Sequence, residues 1–91
     1  KQIPTSFSLS QNYPNPFNPS TTIKYGLPKD AKVTLEVYNI LGQRGAVVVN
    51  DEQKAGYYEV VFQNANLASG AYFYQIRVND QAQAKRMLLL K

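Results

Sequence analysis

The feature of this sequence that most restricts its fold is the alternation of apolar and polar residues in short segments. In the clearest segment, Tyr72, Tyr74, Ile76 and Val78 occupy every second position. Side chains on a β-strand point alternately to the two faces of a sheet, so a period of two predicts a half-buried strand. No segment keeps the period of about 3.6 residues that an amphipathic helix requires. We therefore expect a fold built from strands.

Turn-forming residues divide the chain into about seven such segments. Strands are predicted over residues 7–10, 22–27, 32–40, 47–49, 57–62, 72–78 and 82–90, with polar loops at 51–56 and 64–70. This pattern predicts an all-β fold, an antiparallel β-sandwich of immunoglobulin-like type. The chain has no cysteine and no tryptophan, which excludes the disulfide and the buried tryptophan of an antibody-type core.

A proline-rich segment follows the first predicted strand. It reads YPNPFNP from Tyr13 to Pro19 and holds three of the chain's five prolines. Proline fixes φ near about −65° and biases the residue before it toward extended geometry, which predicts a stiff, extended connection. We interpret this segment as a corner that carries the chain between the two sheets, with Phe17 buried. A polyproline ligand for another module is the alternative.

The side chains that most enzyme mechanisms need are missing. The chain has no histidine and no cysteine, so it lacks the commonest general base near neutral pH and every thiolate ligand. The six acidic residues are scattered over strands and turns, and no phosphate-binding glycine motif occurs. We predict a protein that is not an enzyme, with no catalytic, metal or cofactor-binding site.

The net charge of +4 is spread along the chain, and its one local cluster is Lys85-Arg86, with Lys91 nearby. A nucleic-acid-binding surface needs a denser basic patch, so we expect no nucleic-acid partner. No apolar run approaches the roughly 20 residues of a membrane-spanning helix, so we expect no insertion into a membrane.

The strand phases also predict an exposed aromatic patch. If the alternating residues of the fifth and sixth strands point inward, then Tyr57 and Phe73 point outward, together with Tyr38. Such a patch could stack sugar rings or contact a partner protein, and scattered surface aromatics are the third interpretation.

Several blocks of the chain resemble, in order, the type A C-terminal sorting domain of the bacterial type IX secretion system. They are residues 7–25 with the proline segment, 37–43 (VYNILGQ), 55–62, 67–74 (LASGAYFY) and 85–91 (KRMLLLK), so the resemblance spans about residues 6–91. The immunoglobulin-like domain of flagellar hook-capping proteins is related, but it normally carries a tryptophan where this chain has Phe62. Residues 44–46 depart from the family's valine-centred strand start, which leaves the beginning of the fourth strand open.

The resemblance implies a detachable address label at the C-terminus of a secreted or cell-surface protein. Its implied partners are the type IX translocon, the sortase proteins and an upstream cargo domain in the same chain. The parent would reach the periplasm first and then cross the outer membrane, and a sortase would remove the label. We expect a linker at 1–6 and the sorting domain at 7–91, with cleavage at or before the linker.

The resemblance assigns partner recognition to Gly70 and Tyr72 of one block and to Lys85, Arg86 and Lys91 of the closing block. Each also has a structural interpretation, as a turn, a core residue or a charge on an edge strand. Two other functions remain open: an immunoglobulin-like spacer or assembly module, and a carbohydrate-binding module that uses Tyr57 and Phe73. A weak homodimer through the sheet edges is a further hypothesis.

Overall fold

The computed structural model describes residues 3–63 and 66–90, which form seven β-strands in two antiparallel sheets. The strands are β1 (Ser8–Leu9), β2 (Ser20–Leu27), β3 (Ala31–Asn39), β4 (Arg44–Gln53), β5 (Gly56–Gln63), β6 (Gly70–Val78) and β7 (Gln81–Leu89). The small sheet has the order β1-β2-β5 and the large sheet the order β4-β3-β6-β7. These orders are those of an immunoglobulin-like sandwich, so the predicted fold class is confirmed. None of the described residues lies in a helix that could span a membrane.

The core lies between the inward faces of the two sheets. Ile23 and Leu27 of the small sheet, like Val33, Leu35 and Ile76 of the large sheet, are completely buried. Burying one such side chain stabilises the fold by about 1.5–3 kcal/mol. The alternation in the sequence identified these positions because the inward face of each strand is apolar and the outward face is mostly polar.

The fourth strand is much longer than the sequence predicted. β4 covers Arg44–Gln53, whereas the alternation indicated only 47–49 and a polar loop from residue 51. It is an edge strand that pairs only with β3, and its ladder has irregularities at two places. Ala46, Val48 and Val49 pack against the core, whereas backbone pairing with β3 holds the polar half of the strand. The irregularities interrupt the alternation that would have revealed the full strand. The strand begins at Arg44, which answers the question left open at residues 44–46.

The proline segment connects the two sheets. Tyr13 pairs with Thr22 of the small sheet, whereas Phe17 bridges to Leu89 of the large sheet. Phe17 is buried, and its ring meets that of Phe62 edge-on at 6.2 Å. The predicted corner and the burial of Phe17 are confirmed. The predicted extended geometry was wrong: the segment bends between these two bridges, because the chain must turn from one sheet to the other.

A buried hydroxyl also ties the sheets together. The Tyr74 hydroxyl on β6 donates to the carbonyl of Ser10 and accepts from the amide of Asn12, both at 2.7 Å. The Asn12 side chain is itself buried and donates to Thr21 Oγ1 at 3.1 Å and to the Pro14 carbonyl at 3.2 Å. Burial raises the pKa of Tyr74 to about 12. The partners of the Tyr74 hydroxyl lie between β1 and β2 of the small sheet, whereas Tyr74 belongs to the large sheet, so this hydroxyl links the two sheets.

Replacing Tyr74 with Phe should destabilise the domain and change how its stability depends on pH. Loss of the hydroxyl leaves the buried Asn12 amide without its acceptor, which costs about 1–3 kcal/mol at pH 7. Because the folded-state pKa is raised, the folded protein keeps a proton that the unfolded chain releases between pH 10 and 12. The wild type should therefore lose about 2–3 kcal/mol more than the variant as the pH rises through that window. Urea unfolding followed by circular dichroism at pH 7 to 12 measures both effects, and parallel curves for the two proteins would contradict the assignment.

Candidate recognition surface

Four of the sequence blocks meet at one end of the sandwich, here called the Phe17 end. β3, β5 and β7 finish at this end, and β2, β4 and β6 begin there. The proline segment, the β3–β4 turn, the loop before β6 and the end of β7 are therefore neighbours. Segments that are far apart in the sequence come together because alternate connections of antiparallel strands lie at the same end.

The β3–β4 turn at this end is rigid and displays two large apolar side chains. Asn39 Oδ1 accepts from the amides of Leu41 and Gln43 at 2.9 and 3.0 Å, and Asn39 Nδ2 donates to Gln43 Oε1 at 2.9 Å. Gly42 supplies the positive φ of 81° that closes the turn. Ile40 and Leu41 are 69% and 79% exposed. The turn thus holds two aliphatic side chains in solvent on a fixed backbone.

A row of four outward-facing side chains crosses the large sheet beside this turn. Arg44, Tyr38, Phe73 and Arg86 are successive cross-strand partners on β4, β3, β6 and β7. Side chains directly opposite each other in a sheet have Cβ atoms about 5 Å apart, so the two aromatic rings lie between two arginines. Phe73 is 40% exposed.

Glu36 neutralises one of these arginines. Its carboxylate accepts from the Tyr38 hydroxyl at 2.7 Å and from Arg44 Nη1 at 3.0 Å. The hydrogen bond from Tyr38, followed by that from Arg44, lowers the pKa of Glu36, which keeps the carboxylate charged. The ion pairs within residues 3–63 and 66–90 are Arg44–Glu36 and the exposed pair Lys24–Glu59. Arg77 and Arg86 form no ion pair among these residues, although the charge of Arg77 also helps to lower the pKa of Glu36.

An open groove separates the turn from the outer face of the large sheet. It has a volume of about 350 Å³, and its lining includes Tyr38, Ile40, Phe73, Arg77 and Ala84. We call it the Ile40 groove. It combines apolar walls with one guanidinium group, and it lies next to the row that ends in Arg86.

Gly70 and Tyr72 have clear structural roles. Gly70 begins β6 with a φ of 151°, which a residue with a side chain rarely adopts. Tyr72 is buried, and its hydroxyl donates to the carbonyl of Ala68 at 2.7 Å. A tyrosine near the start of this strand that bonds back to the backbone a few residues upstream is the tyrosine corner of immunoglobulin-like sandwiches. A recognition role for either residue stays a prediction.

The closing-block cations do not form one patch. Lys85 shares the inward face of β7 with Met87 and Leu89 and is half-buried, whereas Arg86 points outward and is exposed. Side chains alternate along a strand, so adjacent residues necessarily face opposite ways. Lys91 lies outside the described residues.

The predicted aromatic set is divided between the two sheets. Tyr38 and Phe73 are adjacent on the outer face of the large sheet, but Tyr57 is 63% exposed on the outer face of the small sheet, opposite Gly26. The two outer faces point away from each other, so no single stacking platform contains all three rings. The sequence predicted which residues point outward, but strand phase carries no information on which sheet a strand joins.

Sequence reasoning missed the exposed pair Ile40 and Leu41 and the contribution of Arg77. The pair was assigned to the end of a strand and its turn. One signal was available: two large aliphatic residues inside a turn framed by Asn39 and Gly42 have no strand partner to cover them. Nothing in the sequence pattern distinguished Arg77 from an ordinary outward-facing charge.

Comparison with known protein families identifies the family of this chain. A family described as the secretion system C-terminal sorting domain matches residues 11–90. The chain belongs to this family. The predicted resemblance is confirmed, and the sorting domain is a signal for type IX secretion, which exports proteins through the outer membrane to the cell surface or the medium. No curated protein matches the chain.

If Tyr72 serves the fold, removing only its hydroxyl should affect stability alone. Tyr72→Phe should lower the free energy of unfolding by about 1 kcal/mol, through loss of the bond to Ala68. Tyr57→Phe is the matched control, because the Tyr57 ring is exposed, and its stability should stay within about 0.5 kcal/mol of the wild type. Chemical unfolding measures both. Equal stability of the two variants would argue against the tyrosine corner.

Proposed function

We propose that this sorting domain works without catalysis, as a folded label that the type IX translocon reads and a sortase then removes from an upstream cargo domain. The family match over residues 11–90 supports the export role. The absence of histidine and cysteine from the sequence supports a non-catalytic role. The observation that carries the proposal is the convergence of four family blocks at the Phe17 end.

The label is read in its folded form. Residues 85–89 of the closing block belong to β7, where Met87 and Leu89 lie in the core and pair with β6. The other edge of the same strand bonds to Phe17, whose amide donates to the Leu88 carbonyl at 2.9 Å and whose carbonyl accepts from the Leu90 amide at 3.0 Å. A translocon protein that binds the folded domain therefore contacts only the outward side chains of the block.

Among the residues assigned to recognition, Arg86 is the strongest candidate for a direct contact, because it is exposed and has no described carboxylate partner. Gly70 and Tyr72 contribute through the backbone and the corner. Lys85 lies on the inward face, where its stem can pack against the sandwich. Lys91 keeps its assignment from the family resemblance.

We propose that the folded unit extends upstream of the predicted boundary at residue 7. Pro4 is buried against Gly26, where an added Cβ would lie 2.9 Å from Pro4 Cγ and 3.0 Å from Ser8 Oγ. Because Gly26 has no side chain, Pro4 can pack against the small sheet at this position. We propose that the sortase cleaves before Pro4, since Pro4 itself is packed against the sandwich.

The weak homodimer would use β5. This strand pairs only with β2, keeps a regular register over eight residues, and exposes Tyr57 and Val61. The end of the β7 edge is bonded to Phe17, and the edge of β4 is irregular. Long regular edges are the ones that pair between chains.

Grafting residues 1–91 onto the C-terminus of a periplasmic reporter should export the reporter in cells with a type IX system. In cells without the translocon, the same fusion should stay in the periplasm. Surface labelling and cell fractionation measure export, and the mass of the released reporter identifies the cleaved bond. A folded fusion that remains periplasmic in both strains would refute the proposal and favour a spacer or assembly module.

Point substitutions test the closing block better than its deletion. Removing residues 85–91 takes Met87 and Leu89 out of the core. Truncating even one such core side chain to alanine costs about 2–5 kcal/mol, out of a total free energy of unfolding of roughly 5–15 kcal/mol. Arg86→Gln should reduce export several-fold without changing the melting temperature, because its side chain lies in solvent. Lys85→Gln is the matched control and should be exported normally. The opposite result would assign the contact to Lys85.

A further inference from the structure

We propose that the Ile40 groove receives an extended segment of the secretion machinery that carries an apolar side chain beside a carboxylate. This inference rests on the proposed function and adds the chemistry of the partner. It is carried by two features of the described residues: apolar side chains exposed on a hydrogen-bonded turn, and guanidinium groups that form no ion pair.

The apolar part of the surface is organised in advance. Single exposed apolar residues are ordinary on protein surfaces. Here, however, Ile40 and Leu41 are adjacent, and the hydrogen bonds of Asn39 hold the turn that carries them. Phe73 forms the facing wall. Because the backbone of this turn is already held by hydrogen bonds, a partner that binds to it loses little conformational entropy of the turn. Low ordering cost of this kind favours a binding hot spot at an interface.

The charges determine which partner fits. Arg77 lines the groove, and its described contact is a hydrogen bond of 3.3 Å to Gln75 Oε1. Arg86 lies opposite Phe73 in the sheet. The one acid of this region, Glu36, is already engaged by Tyr38 and Arg44. A carboxylate on the partner would complement the guanidinium groups through directed, charge-assisted hydrogen bonds.

A second copy of the chain is a poorer occupant. Its β5 presents Glu59 between Tyr57 and Val61, which is an acid between apolar residues. That carboxylate already lies 3.6 Å from Lys24 Nζ within its own sheet. The groove is also small, so it accommodates a few side chains of an extended segment rather than the face of another sandwich. We therefore assign the groove to the secretion machinery.

The test compares equally exposed apolar residues in the reporter fusion. The double variant Ile40→Gln/Leu41→Gln should lower export at least about tenfold, the change that corresponds to losing about 1.4 kcal/mol of contact. Val61→Gln is the matched control, because Val61 is 67% exposed on β5, and its export should not change. Melting temperatures of all variants should equal that of the wild type, since these side chains lie in solvent. Arg77→Gln should reduce export several-fold.

The outcomes separate the two proposals. If the wild-type fusion is not exported, the proposed function fails. If the wild type and the double variant are exported equally, the groove is not the docking site. A defect confined to Val61→Gln would move the contact to the β5 edge and would also overturn this inference.

Crosslinking identifies the occupant. The chain has no cysteine, so Gln75→Cys labelled with a benzophenone maleimide places one photoreactive probe in the groove. Gln63→Cys on β5 is the control. Illumination with isolated outer membranes that contain the type IX system should link position 75 to a segment with an apolar residue next to Asp or Glu. The link should weaken in Arg77→Glu. A link to a segment without an acid, or to a second copy of the domain, would overturn the assignment.

Discussion

The whole structure depends on the pairing of Phe17 with the last strand. Its amide and carbonyl bond to Leu88 and Leu90, and Asn15 Oδ1 accepts from the Leu88 amide at 2.9 Å. Without these partners β7 would present an open edge, with unpaired backbone groups and a tendency to pair with other chains. The proline segment covers this edge, because a bent chain can approach β7 without continuing as another strand.

This pairing makes the two ends of the sequence depend on each other. The segment that covers β7 is itself held by the buried cluster of Asn12, Thr21 and Tyr74. Tyr74 lies on β6, the strand that pairs with β7. The opening block therefore stabilises the closing block through Phe17, and the large sheet stabilises the opening block through Tyr74. The family match over residues 11–90 includes both of these mutually dependent blocks.

The residues that build this frame differ from those available to a partner. Phe17, Tyr72 and Tyr74 are buried and serve the fold. Ile40 and Arg86 project from the frame into solvent. This separation is useful in a small domain with limited stability, because surface side chains can differ between sorting domains at little cost to folding.

The sequence by itself determined the strands that reach the core, the inward side of each one, the corner at Phe17 and the family. These follow from local rules, because a strand with one apolar face can bury it in only one orientation. The full length of β4 was not predictable in this way, since backbone pairing to β3 holds its polar half. Only the tertiary structure decided that Tyr57 lies apart from Tyr38 and Phe73, and that Ile40, Phe73 and Arg77 share a groove. The physical reason is that period-two patterns fix the face of a strand, whereas its neighbours are chosen by packing between residues far apart in the chain.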